Sequence, residues 1–183
     1  NEQRVGRSIR TQGIACCPRA THLDESAIPG GTSLIASNLT PIRVTSGGAR
    51  NAWEIIEPGP PFRGSYGLNQ GLFLNPPGGY QASVSMGLLG IDTLSIKGAS
   101  RIPTLLDSPG PLEYPVWEMR PSPDGFRLSP GMHFCMNRHG KYVNGLFLDW
   151  SARRIDLKEL WVLPWYPRFD TAGRWTKAGG VQP

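Results

Sequence analysis

What most limits the folds open to this chain is its punctuation: 23 glycines and 18 prolines are spread through 183 residues. A glycine inside a helix or strand costs about 0.5–1 kcal/mol relative to alanine. An interior proline removes a backbone donor and costs a helix about 3 kcal/mol or more. Helices are therefore interrupted before they can propagate, and turns, short strands and ordered loops are favoured. Apolar and aromatic residues nevertheless run through the whole chain, which sets it apart from disordered, low-complexity sequences. The length is enough for one domain with a real core. The expected fold class is α+β, mainly β and loop-rich.

The net charge of +5 is carried by 15 arginines and only 4 lysines. Arginine suits fixed, planar contacts to carboxylates, backbone carbonyls and aromatic faces. A basic balance is compatible with nucleic-acid binding. Here the arginines are scattered beside proline, glycine and apolar residues, which favours structural and interface roles. No apolar run approaches the roughly 20 residues of a membrane helix, and no secretory signal opens the chain. Arg4, Arg7 and Arg10 recur at spacing three, but Gly6 and Gly13 weaken a helix over Glu2–Ile14. Residues 1–14 are read as a lead-in from something N-terminal, and residues 15–183 as a single domain.

Along the chain, Ser33–Val44 is β-compatible, with Pro41 confining it to an edge or a break. Ala49–Glu57 is a short amphipathic piece around Trp53, and Pro58-Gly59-Pro60-Pro61 ends any helix there. Gly64-Ser65-Tyr66-Gly67-Leu68-Asn69 reads as a sharp turn anchored by one ring. Pro76-Pro77-Gly78-Gly79 reads as an exposed loop, and Ile91–Ile96 is apolar but mixed in period. Ile102–Ser108 reads as a buried strand ending in a turn, and the proline-rich stretch from Ser108 to Pro130 as a long loop. Met132–Met136 returns to strand character. The best hairpin is Tyr142–Leu148, a corner at Asp149-Trp150-Ser151, and Ala152–Leu157. Leu157–Leu163 is a helical turn or a strand, and the tail with Trp165, Tyr166, Phe169 and Trp175 is expected to be packed.

Three cysteines exclude a fully paired intramolecular framework. Cys16 and Cys17 are adjacent, a strained geometry in which a mutual bridge is rare. In an exported protein one of them, taken here as Cys17, could pair with Cys135, a closure worth roughly 4–5 kcal/mol in the chain-entropy model. The alternative is a buried free thiol at Cys135. No metal or other cofactor is expected. The residues nearest to a soft-metal set are His133, Cys135 and His139, joined on paper by Cys16 or Cys17, but His-x-Cys-x3-His is not a standard zinc spacing. Asp149, Asp156 and Asp170 are the nearest to a calcium set. His139 and Asp149 stand ten positions apart, with nine residues between them. An extended Tyr142–Leu148 would separate them by roughly 20 Å, which argues against a dyad and for His139 fixing a turn while Asp149 caps the corner. Gly-x-Ser-x-Gly, phosphate-loop, His-Glu-x-x-His and Cys-x-x-Cys patterns are all missing.

Asn137-Arg138-His139-Gly140, with Asn144-Gly145-Leu146-Phe147-Leu148-Asp149-Trp150-Ser151, resembles the signature of bacterial proteins carrying a prepilin-type processing-associated His-X9-Asp-Gly domain, common in planctomycetes. Leu157-Lys158-Glu159-Leu160-Trp161 and the tail from Trp175 to Pro183 are similar to that group's ending. Cys17-Pro18, Gly64–Asn69 with Tyr66 and Asn69, and Ile102–Asp107 are similar to its landmarks in order. Trp150 stands where the signature has glycine, so the corner is expected to do without glycine's positive φ. The resemblance implies the globular head of a pilin- or pseudopilin-like subunit whose N-terminal helix is not in this chain, with a small antiparallel sheet. It implies a structural, non-catalytic protein of an extracellular fibre or type II secretion pseudopilus, handled by prepilin peptidase and assembly machinery. It also implies an extracellular or cell-surface location, reached from an inner-membrane precursor. Trp161, Trp165, Tyr166 and Trp175 and the 108–130 loop are the expected subunit contacts. Two other readings are a surface module binding DNA or acidic polysaccharide and a metal-dependent enzyme around His133, Cys135 and His139.

Overall fold

The computed structural model describes residues 15–23, 43–57, 60–72, 96–121, 132–134, 136–166 and 169–177. The expectations for residues 1–14, for the loop at 76–79, for most of Ser33–Val44 and Ile91–Ile96, and for Cys135 lie outside them.

Among the described residues the architecture is mainly β, in two sheets. The first is antiparallel and three-stranded, in the order β1 (Arg43–Thr45), β2 (Trp53–Glu57), β3 (Phe62–Gly64). The second is mixed and five-stranded, ordered β6-β4-β5-β7-β8. Its strands are β4 (Tyr66–Asn69), β5 (Pro103–Asp107), β6 (Leu112–Glu113), β7 (Tyr142–Phe147) and β8 (Ala152–Asp156). All its pairings are antiparallel except β4 with β6. Helical structure is limited to 3₁₀ turns at Gln70–Leu72, Ala99–Arg101 and Glu159–Val162 and one short α-helix, α1 (Arg174–Lys177). That is the outcome the glycine and proline load imposes.

Three local readings change. The Trp53 segment is strand β2, because Trp53 and Ile55 pair with Gly64 and Phe62 across the ladder. The Gly64–Asn69 segment is the end of β3 and the inner strand β4, and only its Ser65 junction is a bend. Gly67 is needed there because the carbonyl oxygen of Gly110 and the Ser108 side chain lie where a Cβ would go. That close approach lets β6 run alongside β4. The described residues of Met132–Met136 form no strand: Met132 makes an isolated bridge to Pro121, and His133 and Phe134 turn.

The period-two alternation of β7 points Val143, Gly145 and Phe147 into the core and Tyr142, Asn144 and Leu146 to the other face. Ile155 of β8 and Leu106 of β5 join the inner set. The tail closes over them. Phe134 stacks on Trp165 at 5.0 Å, Phe169 meets Tyr166 edge-on at 5.5 Å, and the Trp165 indole donates to the Leu160 carbonyl at 2.6 Å. Each large apolar side chain buried this way contributes on the order of 1.5–3 kcal/mol. Trp161, Trp165 and Tyr166 are therefore core residues and not the subunit contacts expected of them. Trp175 is half-buried against that core, with its indole donating to the Glu118 carbonyl.

The β7–β8 corner also differs from expectation. Trp150 takes φ 66°, in the left-handed region, with 71% of its surface exposed. It holds glycine's conformation with a tryptophan side chain. Its N–H donates to the Phe147 carbonyl at 2.9 Å, and Asp149 Oδ1 accepts from the Ser151 N–H and hydroxyl at 3.0 and 2.6 Å. Those two bonds hold the Asp149 carboxyl below its usual pKa.

Candidate functional site

The buried end of β5 carries a charge. Asp107 sits on the strand that begins at Pro103, and neither its side chain nor that of Arg138 is exposed to solvent. Desolvation makes an isolated buried carboxylate untenable, so it must be paired and hydrogen-bonded. Arg138 Nη1 donates to Asp107 Oδ1 at 2.9 Å and to the Ser65 carbonyl at 2.6 Å. Nη2 donates to the carbonyls of Gly48 and Ser108 at 2.8 and 3.4 Å, and Nε to that of Ala49 at 3.1 Å. All five N–H donors of the guanidinium are used. This one side chain ties the β1–β2 connection, the β3–β4 junction and the end of β5 together, joining the two sheets.

Next to that hub three donor atoms converge. Cys17 Sγ lies 3.3 Å and Asp107 Oδ2 3.2 Å from His139 Nε2, and the three atoms all fall within 4.8 Å of one another. Asn144 Nδ2 also reaches His139 Nε2, at 3.0 Å, while its backbone N–H donates to Asp107 Oδ2 at 2.7 Å. Sequence-distant pieces create this meeting. The turn holding Cys17 is pinned by bonds from Cys17 N to the Ser65 hydroxyl and from Ser65 N to the Ala15 carbonyl. His139 is presented by a reversal in which Gly140 and Lys141 take φ 67° and 75° in succession, with Lys141 N bonded to Asn137 Oδ1. Stacking on Tyr142 at 5.4 Å fixes the imidazole plane.

Tyr66 stands beside the cluster, close to Asp107 and Cys17. Burial, and then the negative charge of Asp107, push its phenol pKa up to about 12. The neighbouring Cys16 thiol is raised by burial, against the opposing pull of Arg63 and Arg138. Tyr66 and Asn144 also line a groove of 480 Å³ on the outer face of the five-stranded sheet, floored by Leu105 and Leu146 and rimmed by Arg153 and Arg154 of β8.

The chemistry open to this cluster is narrow. A cysteine–histidine–aspartate relay needs the carboxylate on one imidazole nitrogen and the thiol on the other. Here both face Nε2, so the relay geometry is absent. The arrangement suits a structural tie or a cation.

The expected site residues are dispersed. Cys17 is a free thiol, and its expected partner Cys135 lies outside the described residues. His133 is paired through Nδ1 with Glu113 at 2.7 Å, away from the partners that His139 finds. His139 and Asp149 sit before and after β7. Asp149, Asp156 and Asp170 each accept a backbone N–H two residues on, from Ser151, Lys158 and Ala172. Each closes its own turn, and they do not form a calcium set. Gly145 admits the Ile155 and Leu106 side chains, which a Cβ would meet at 2.6 and 3.3 Å. Buried Asn69 donates to the Pro103 and Trp165 carbonyls at 2.9 and 3.0 Å and accepts from Gly71, fastening β4 to the tail. Asp107 and Arg138 were not singled out by sequence, although a carboxylate ending the apolar run Ile102–Leu106 needs a buried partner. Several arginines serve internal contacts. Arg153 grips Glu159 through two bonds and lies over Phe147, while Arg101 and Arg174 donate to the carbonyls of Val162 and Glu118.

Among the described residues no helix is long and apolar enough to cross a membrane. Comparisons with protein-family models, curated proteins and solved structures found no match to this chain.

Proposed function

We propose that this chain is the non-catalytic head domain of a pilin- or pseudopilin-like subunit, working by self-assembly in a surface fibre or secretion pseudopilus. The reading rests on the signature around His139 and Asp149. The observation that supports it best is the outer face of the five-stranded sheet. Leu68 of β4 is 37% exposed there, and Leu105 and Leu146 floor an open groove. Edge strand β8 is largely exposed along Ala152–Arg154. An apolar, grooved sheet face beside an open edge is suited to covering by a helix and to contact with a neighbouring copy. The relay-incompatible placement of Cys17 and Asp107 on one imidazole nitrogen favours a structural role over catalysis.

The test is localisation of the native protein. Antibody raised against this domain should label sheared surface filaments, and the purified native subunit should carry an apolar N-terminal segment of about 20 residues. Label confined to soluble cytosolic monomer, or a native N-terminus without that segment, overturns the assignment. Replacing Leu105 and Leu146 by serine should abolish filament incorporation while leaving the isolated domain folded.

A further inference from the structure

We propose that Cys17, Asp107 and His139 form a three-ligand site for a zinc-type divalent cation. The inference is independent of the assembly role. It starts from an excess of partners at one atom. His139 Nε2 faces Cys17 Sγ at 3.3 Å, Asp107 Oδ2 at 3.2 Å and Asn144 Nδ2 at 3.0 Å. If Nε2 carries a proton, it can serve only one of the acceptors and meets the Asn144 amide donor head-on. If Nε2 is bare, its lone pair faces the lone pairs of Asp107 Oδ2. In neither state can all three contacts be satisfied, inside a region where Cys17 and Asp107 are buried. Buried polar groups of this kind normally find full partnership. A cation among the three atoms satisfies the imidazole, the thiolate and the carboxylate together.

The distances fit. Zinc bonds sulfur at about 2.3 Å and nitrogen or carboxylate oxygen at about 2.0–2.2 Å, so the edges of its tetrahedron are roughly 3.3–3.6 Å. The observed edges of 3.3 and 3.2 Å lie within a few tenths of those values, and the third pair is within 4.8 Å. The donor set selects the ion class. A thiolate with an imidazole and one carboxylate suits zinc or cobalt(II), and the sulfur ligand disfavours calcium and magnesium. The outer shell is in place too. Asp107 Oδ1 is held by Arg138, Asp107 Oδ2 takes the Asn144 backbone N–H, and the Cys17 turn is fixed by its backbone N–H on the Ser65 hydroxyl. Partners of this kind orient first-shell ligands. Tyr66 and Asn144 line the groove as well as the cluster, which gives the ion a path in and a solvent molecule access to the fourth position. On binding, the Cys17 thiol gives its proton to solvent as the sulfur–metal bond forms, so affinity rises with pH.

The experiment uses the purified chain, stripped with chelator and titrated with zinc or cobalt(II). One equivalent of metal is expected, with a thiolate-to-cobalt charge-transfer band. At a hundredfold excess of zinc over the dissociation constant, Tm should rise by about 5–11 °C. Cys17→Ser should remove the band and weaken binding by more than about 100-fold, beyond the loss typical of outer-shell changes, whereas Cys16→Ser should keep both. X-ray absorption on the zinc-loaded wild-type chain needs no variant and should show one sulfur at about 2.3 Å among otherwise nitrogen and oxygen neighbours. Absence of stoichiometric metal overturns the proposal. So does a shell with no sulfur or with two, a band that survives Cys17→Ser, or one that is lost in Cys16→Ser.

Discussion

Replacing Arg138 by methionine tests the hub on which both sheets depend. Methionine keeps much of the aliphatic stem but removes all five donors. In the metal-free chain Asp107, with no exposed side-chain surface, would keep the Asn144 N–H at 2.7 Å and the His139 contact at 3.2 Å but lose its guanidinium partner. Leaving one member of a buried pair uncompensated costs about 3–5 kcal/mol. The freed carbonyls add less. Ser65 O still accepts from Ser108 N at 2.9 Å, and Gly48 and Ala49 are half-buried, within reach of water. The expected loss is therefore about 3–5 kcal/mol. For a chain of this size that lowers Tm by about 6–20 °C. Urea unfolding followed by tryptophan fluorescence measures it, and the loss should persist at high salt because the pair is shielded from counterions. The exposed Arg153–Glu159 pair is the control: Glu159→Gln should cost about 0.2–1 kcal/mol, and less as salt rises. Adding Asp107→Asn to Arg138→Met should recover part of the loss, because the orphaned charge is gone. A loss below about 1 kcal/mol for Arg138→Met, or a double variant as unstable as the sum of the singles, would refute the reasoning.

Other consequences follow from single positions. Trp150→Gly should stabilise the domain by up to about 1 kcal/mol, since a left-handed non-glycine residue costs about 1–2 kcal/mol and glycine returns part of that as unfolded-chain entropy; the shift in urea midpoint checks it, and destabilisation would mean that the indole makes a compensating contact. Gly67→Ala should cost about 1–3 kcal/mol or more, because the atoms facing the new methyl include a backbone carbonyl that cannot rotate away; thermal melts measure it. Tyr66 is an acid whose pKa rises on folding, so the folded state holds the proton more tightly. Its contribution to stability is complete below about pH 10 and is lost as pH climbs from there to about 12. Alkaline phenolate absorbance should show one late-titrating tyrosine fewer in Tyr66→Phe.

Much of the secondary structure was legible in the chain because it depends on local backbone rules. The β7–β8 hairpin could be read from alternation around an Asp-Trp-Ser corner, strand β5 from its apolar run, and the scarcity of helix from glycine and proline spacing. Local rules misjudged β4, where Gly67 looks like a turn until Gly110 and Ser108 are placed beside it. They misjudged Trp150 too, because sequence prefers glycine at a left-handed corner that a tryptophan occupies here. The packed tail was legible too, but not which of its rings are core: Trp161, Trp165 and Tyr166 are as apolar as interface residues, and only the closing of the chain over Phe134 and Phe147 makes them core.

By itself, then, the sequence determined the mainly β character and the hairpin, since strand period, turn chemistry and helix breaking act over a few neighbours. Only the tertiary structure decided the site. Cys17, Asp107 and His139 are separated by 90 and 32 positions, and no local rule relates them. They meet because Arg138 uses its five donors to draw two sheets onto one buried carboxylate. A charge taken out of water must be satisfied by whatever the fold brings to it, wherever those groups lie along the chain.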